Sequence, residues 1–328
     1  MRAAQVDEPG GLEHLNVVDV AEPRPGPGEV LIQVAFGACN WGDIQKRHGI
    51  YPDPVTYPAI LGAEVSGTIR ERGKGVRSLR KDQFVSAITG LDMLRGFAEF
   101  VAVPETYVIP LPPGFDPRLA AAFPVAAITA WHLLHTAHRV RRGETVLVHA
   151  IGGAVGLMLT QLSRAAGARV IGTVGRPEKA RLPLDYGAHR VIARDEEDFV
   201  AAVMAETSGR GVDLVIDSLG AKILQRSFDC LRPFGKVINI GEAAGEPDFP
   251  MRKTLYRRST SLAGFEVLHA VPGSRRWRAG VVNLVRDLDE GRLHVPVAAE
   301  FPLDRVRDAH GLLESRTASG KVLIKVNS

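Results

Sequence analysis

The sequence predicts an α/β protein in two parts: a doubly wound parallel sheet of six strands, and a separate β-rich domain. Three observations carry this. From residue 144 onward, short apolar runs alternate with stretches of helix length, the pattern of a parallel sheet with helices on both faces. Residues 1 to about 120 instead hold short β-like runs punctuated by Pro and Gly, as in a compact β domain. Where the two textures meet, a strand, a glycine turn and a helix follow one another without a gap.

In chain order, strands are predicted at Val30–Phe36, Glu64–Arg70, Gln83–Thr89 and Ala98–Val103. The turn-rich Pro23-Arg-Pro-Gly-Pro-Gly28 introduces the first of them. Arg118 to Ala137 is an alanine-rich helical stretch, interrupted at Pro124 and placed to bridge the domains. Further strands are expected at 145–149, 169–174, 189–193, 212–217, 236–240 and 260–265. Helices are expected at 154–166, about 177–186, about 196–207 and 220–231. Asp195 is the candidate cap of the third helix, and Pro183 should shorten or kink the second. A helix over Arg278–Glu290 offers Val281, Val282, Leu284, Val285 and Leu288 as its inner face. The tail holds a helix with Val306, Ala309, Leu312 and Leu313, then a strand over Val322–Val326. These two alone cannot form a core, so the tail should return to the first domain.

Composition narrows the function classes. A chain of 328 residues can hold two domains. Its net charge of +4 comes without a dense Lys/Arg run, so nucleic acid is not an expected partner. Two cysteines, Cys39 and Cys230, make no disulfide framework and no four-cysteine zinc site. No apolar leader or bilayer-length run is found, and a cytoplasmic location is expected.

The central stretch is Glu144 to Gly167, ETVLVHAIGGAVGLMLTQLSRAAG. Thr145–His149 reads as a buried strand. Ala150-x-x-Gly153-x-x-Gly156 is the turn, with alanine where the usual motif begins with glycine. Val155, Met158, Leu159 and Leu162 then mark one face of a helix, and Gly167 is placed to cap it. Small residues let a backbone approach a pyrophosphate, and a helix start offers unpaired N–H groups. A packed helix without ligand is the plainer reading of the same stretch.

The second strand decides which dinucleotide. An NAD site places Asp or Glu at that strand's end for the ribose 2′-hydroxyl. Here it ends Val170-Ile-Gly-Thr-Val-Gly175-Arg176-Pro-Glu-Lys179. Gly175 makes room, and Arg176 and Lys179 supply positive charge, which favours a 2′-phosphate and hence NADPH. Glu178 follows Pro177 in a first helical turn, where acids are common for dipole reasons.

Taken together, the segments 25–52, 58–69, 96–104, 146–175, 211–220, 235–241 and 319–326 resemble the medium-chain dehydrogenase/reductase superfamily, in its zinc-free quinone oxidoreductase (zeta-crystallin-like) branch. The resemblance spans nearly the whole chain. It implies a GroES-like substrate domain at 1–122 completed by 293–328, a Rossmann NADPH-binding domain at 123–292, and a cleft where cofactor and substrate meet. Zinc-dependent members carry Gly-His-Glu where this chain has Gly62-Ala63-Glu64. Cys39 without that histidine cannot complete a three-ligand site, so no metal is expected and Glu64 should serve structure.

The resemblance also implies site residues. Ala150, Gly152, Gly153, Ala154, Val155 and Gly156 would form the pyrophosphate turn. Arg194 would join Arg176 and Lys179 near the 2′-phosphate. Leu219, Gly241, Phe265 and Val267 would line the nicotinamide side, with Thr129 as a further nicotinamide or ribose neighbour. Arg316 would reach a phosphate from the tail. Asn40 would lie near nicotinamide and substrate, although its segment is one residue longer than the common pattern. Tyr51 would donate a hydrogen bond or proton to the acceptor, or simply lie on the cofactor. Asp217 is expected to be structural. The implied activity is hydride transfer to a quinone or other α,β-unsaturated carbonyl. A 2-enoyl thioester reductase, and an RNA-binding or lens-type structural role, are the alternatives. Relatives of this kind pair as homodimers through a sheet edge, here around 260–272.

Overall fold

The computed structural model describes residues 1–327. Its backbone contacts divide the chain into two compact units, Met1–Ala126 with Val271–Ser328, and Ala127–Ala270. The division falls at 126/127 and 270/271, where the sequence placed boundaries at 122/123 and 292/293. The helix Arg275–Asp289 thus groups with the chain ends.

In the first unit, the long strand Glu29–Cys39 organises a seven-stranded sheet. It pairs antiparallel with Glu64–Arg72, with Phe100–Pro104 and with the C-terminal strand Lys321–Lys325. Val322 lies opposite Cys39, so the tail does return to the first unit. Its other neighbour, Val297–Pro302, runs parallel to it and was not anticipated. Val30, Ile32, Val34, Val65, Ile69, Val85, Val101 and Val103 form one buried cluster. The alternation of β-branched residues along these strands builds that face. Two N-terminal strands, Arg2–Val6 and Leu15–Asp19, make a smaller sheet with Ala59–Ile60.

The second unit is a six-stranded sheet, parallel throughout. In spatial order the strands are Arg190–Ala193, Arg169–Val174, Thr145–Val148, Val212–Asp217, Leu231–Asn239 and Ser261–Gly264. The strand order reverses between Thr145–Val148 and Val212–Asp217, the switch point at which such sheets bind ligands.

Several local expectations are corrected. The second helix becomes a 3-10 turn, Pro177–Lys179, followed by the short helix Arg181–Asp185. Pro183 sits within the first turn of that helix, where its missing N–H costs nothing. The third helix is Phe199–Glu206, and Asp198 caps it by accepting from Val200 N and Ala201 N; Asp195 does not cap it. Arg118–Ala137 is broken as predicted, into Pro117–Ala122 and Pro124–His132. A π-helical turn over Leu133–Ala137 follows. In Arg275–Asp289, Leu284 and Leu288 face inward with Trp277, whereas Val282 is exposed.

Candidate functional site

The second unit's site begins at the end of Thr145–Val148. Ala150 adopts φ 49°, a left-handed backbone that costs an alanine energy and that a glycine takes freely. Gly153 then precedes the helix Ala154–Ala165, and no side chain caps that helix start. The glycines are there for contact. A Cβ on Gly156 would stand 2.6 Å from Ile151 Cα, so the helix rests on the turn. A Cβ on Gly152 would stand 3.4 Å from Lys179 Cε, so the lysine stem lies beside the turn. Gly167 has φ 78° just beyond the helix and donates to Arg164 O.

Positive charge gathers at this end of the sheet. Arg176 is exposed where the chain leaves Arg169–Val174. Lys179 is half-buried, and burial pulls its ammonium pKa down. Arg194 follows Arg190–Ala193, and its backbone N–H donates to Val174 O. Its guanidinium lies across the strand ends, 3.8 Å from where a Cβ on Gly175 would be. The strand-end residues Gly175 and Arg176 carry no carboxylate; Glu178 sits exposed in the 3-10 turn, and Asp195 N donates to Gly175 O at 3.4 Å. This site therefore fits a 2′-phosphorylated dinucleotide on its own geometry.

Three further loops meet at the C-terminal ends of the other strands. Ala243 N and Ala244 N donate to Ser218 O and Leu219 O, which joins the loops holding Leu219 and Gly241. Phe265 N donates to Asn239 O, and Val267 is buried just beyond. Asp217 is structural, as expected: its carboxylate accepts from Gly220 N, Leu219 N and Asn239 Nδ2. Burial nonetheless raises its pKa. Thr129 is buried within Pro124–His132.

In the first unit, Asn40 opens the helix Trp41–His48, an element missed in the sequence. Its side-chain amide is committed inside the unit. Nδ2 donates to Ala38 O at 3.2 Å and to Glu64 Oε1 at 2.9 Å, and Oδ1 accepts from Lys321 Nζ at 2.9 Å. Glu64 also accepts from Val125 N. Asp43 accepts from Asn40 N and Gly62 N, yet burial pushes its carboxyl up to about 6. The Cys39 thiol is raised well above its usual range by burial. Tyr51 lies under the Lys46 ammonium, 4.6 Å from ring centre to Nζ, beside a surface cavity lined by Gly49, Asp53 and Tyr57. Arg316 stacks over Trp41 at 5.6 Å. Thus Asn40, Tyr51 and Arg316 share one unit, while the glycine turn, Arg176, Lys179 and Arg194 share the other.

Comparison with known proteins places this geometry. Residues 154–286 match the family model described as "Zinc-binding dehydrogenase", and 26–113 match "Alcohol dehydrogenase GroES-like domain". A probable quinone oxidoreductase of Schizosaccharomyces pombe is 31% identical over 98% of this chain and 96% of its own. The chain belongs to the quinone oxidoreductase branch of the medium-chain dehydrogenase/reductase family. The 2-haloacrylate reductase of a Burkholderia species is 32% identical over 98% of both chains. The crystal structure of Escherichia coli quinone oxidoreductase complexed with NADPH superposes with TM-score 0.94 at 28% identity, covering 99% of this chain and 100% of that one.

Among the described residues, no three His, Cys, Asp or Glu stand together to hold a metal ion. Glu64 is paired with Lys321. Sequence reading missed Lys321 as a partner of the Asn40 region. The available signal was a lysine entering the apolar strand of SGKVLIKV, since a charge in such a strand needs a partner.

Proposed function

We propose that this protein is a zinc-independent oxidoreductase that transfers a hydride from NADPH to a quinone or a related α,β-unsaturated carbonyl. The single observation behind the cofactor choice is the basic, carboxylate-free strand end, where Arg176, Lys179 and Arg194 gather beside the glycine turn. In this reading the Rossmann domain, set at 123–292 from the sequence, binds NADPH. Gly152, Gly153, Ala154 and Val155 meet the pyrophosphate, with Ala150 and Gly156 shaping the turn and the Gly153 N–H given to Ala150 O. Gly175 leaves room for the ribose, and the three basic residues take the 2′-phosphate. Leu219, Gly241, Phe265, Val267 and Thr129 orient the nicotinamide, and Arg316 adds a phosphate contact. NADPH supplies the hydride when bound. The protein's part is placement and hydrogen bonding. Tyr51 is the proposed donor to the acceptor oxygen, and Asn40 holds its surroundings in place.

A quinone oxygen becomes a stabilised phenolate on reduction, which lessens the need for a Lewis acid. The similarity to a 2-haloacrylate reductase supports activated alkenes as a second substrate class. A homodimer, through the edge strand Ser261–Gly264, and a cytoplasmic location belong to the same proposal.

The test is NADPH oxidation with a naphthoquinone, crotonyl-CoA and a simple aldehyde. Turnover of the quinone above the other two supports the reading. Preference for crotonyl-CoA would move it to the enoyl thioester class, and no NADPH binding would end it. The double variant Arg176→Ala/Lys179→Ala should weaken NADPH far more than NADH.

A further inference from the structure

Behind Arg194 runs a line of buried polar side chains that the activity does not by itself require. Arg194 Nη1 donates to Thr173 Oγ1 at 2.7 Å. Thr173 Oγ1 lies 2.8 Å from His149 Nδ1, and His149 Nε2 lies 2.9 Å from Ser227 Oγ. Ser227 Oγ donates to Ile223 O at 2.7 Å. Thr173, His149 and Ser227 are all buried.

The hydrogens can be placed along this line in one consistent direction. A guanidinium only donates, so Thr173 accepts from Arg194 and has its own hydrogen left for His149 Nδ1. Nδ1 is then the acceptor, and Nε2–H donates to Ser227. Ser227 passes its hydrogen to the Ile223 carbonyl. Every hydroxyl and ring nitrogen in the line is satisfied, as buried polar groups require. Burial and the nearby Arg194 charge drive the His149 pKa down to about 3, so the ring stays neutral and the direction holds at physiological pH. The Phe199 ring, edge-on to His149 at 5.1 Å, closes one side.

Resting on the reading of Arg194 as a 2′-phosphate contact, we infer that Thr173 and His149 are positioning residues that set the preference for NADPH over NADH. They touch no cofactor atom in this scheme. Their work is to fix one nitrogen of the Arg194 fork, so that the planar guanidinium is oriented at the strand end before any phosphate arrives. A long side chain left to rotate would surrender part of its binding energy to ordering. Strand geometry supplies the rigidity: Thr173 is opposite Ile192 in the parallel pair, and Val174 is opposite Ala193, next to Arg194.

The experiment compares Thr173→Val, Thr173→Ser and Arg194→Ala in kcat/KM for NADPH and for NADH. Thr173→Val should lower the NADPH/NADH ratio about tenfold, the scale of one hydrogen bond to a charged group, and Thr173→Ser should restore most of it. An unchanged ratio in Thr173→Val, with Arg194→Ala still selective against NADPH, overturns the positioning role and leaves the 2′-phosphate reading intact. Equal loss of both cofactors in Thr173→Val also overturns it. An Arg194→Ala enzyme with unaltered NADPH affinity sinks both. Should Thr173→Val not fold, histidine-labelled wild-type protein gives a separate answer by ¹⁵N NMR. The His149 ring should carry its proton on Nε2 and shift with 2′,5′-ADP but not with 5′-AMP. A proton on Nδ1, or equal response to both nucleotides, overturns the inference.

Discussion

Lys321 and Glu64, 257 positions apart in the sequence, form an ion pair with both side chains almost fully buried. It closes the seven-stranded sheet chemically as well as by backbone pairing, because Asn40 bonds to both partners. Removing one member leaves the other charge buried and alone. Lys321→Met should destabilise the protein by about 3–5 kcal/mol. The double variant Lys321→Met/Glu64→Gln should recover much of that. Urea unfolding of the two variants measures the difference; equal losses would mean the pair acts through packing alone.

Acid should unfold this protein by a route involving its buried histidines. His149 and His310 are pulled from the usual 6.5 to about 3, chiefly by burial. Between those values the unfolded chain takes protons that the folded rings refuse. Stability therefore falls on acidification, by about 1.4 kcal/mol per pH unit for each ring. Asp43 works the other way. Its carboxyl is raised to about 6 from 3.8, so over that interval the folded state gains a proton first and is stabilised. His310, edge-on against Phe97, has no hydrogen-bond partner at either ring nitrogen among the described residues, so it can be replaced without breaking a bond seen there. His310→Phe should flatten the acid limb by one ring's slope in unfolding curves taken from pH 7 to 4. An unaltered slope would show that the ring titrates freely when folded.

Ala150 stands in the left-handed region with φ 49°. Ala150→Gly should stabilise the protein by about 0.5–1 kcal/mol, the strain relieved less the entropy a glycine adds to the unfolded chain. Thermal melting reads this directly. A lower melting temperature would mean that the alanine methyl packs to advantage.

Gly156→Ala tests the opposite case. The new Cβ would lie within 2.6 Å of Ile151 backbone atoms, which cannot move aside as a side chain tip can. A cost of about 1–3 kcal/mol is expected, together with weaker NADPH binding as the helix start is pushed from the turn. Nucleotide fluorescence titration checks the second part; unchanged affinity would detach the turn's shape from the site.

The parallel sheet was legible because short β-branched, largely apolar runs alternate with helix-length stretches, and its glycine turn lies in the one context that gives such a turn meaning. Element ends were less so. Asp195 and Asp198 both suit a helix start, and only the folded backbone selects Asp198. The proposed cofactor side rests on Gly175, Arg176 and Lys179, which could be considered together because they are neighbours in sequence. The Asn40 network could not, since Asn40, Glu64 and Lys321 come from three separated strand or helix ends and meet only through register. The same holds for Thr173, His149 and Ser227, each of which reads locally as a small or aromatic core residue.

The sheet built from both chain ends also has a timetable. Glu64 leaves the ribosome long before Lys321; at roughly 5–20 residues per second the delay is on the order of 13–50 s. During it, the Phe36–Cys39 end of the strand Glu29–Cys39 lacks its later-made neighbour and presents an open edge to other nascent chains. The segment Ala127–Ala270 is contiguous and can fold in that interval. Synthesis of this protein thus contains a waiting period, in which the Glu29–Cys39 strand must be kept from the wrong partner until Lys321–Lys325 arrives.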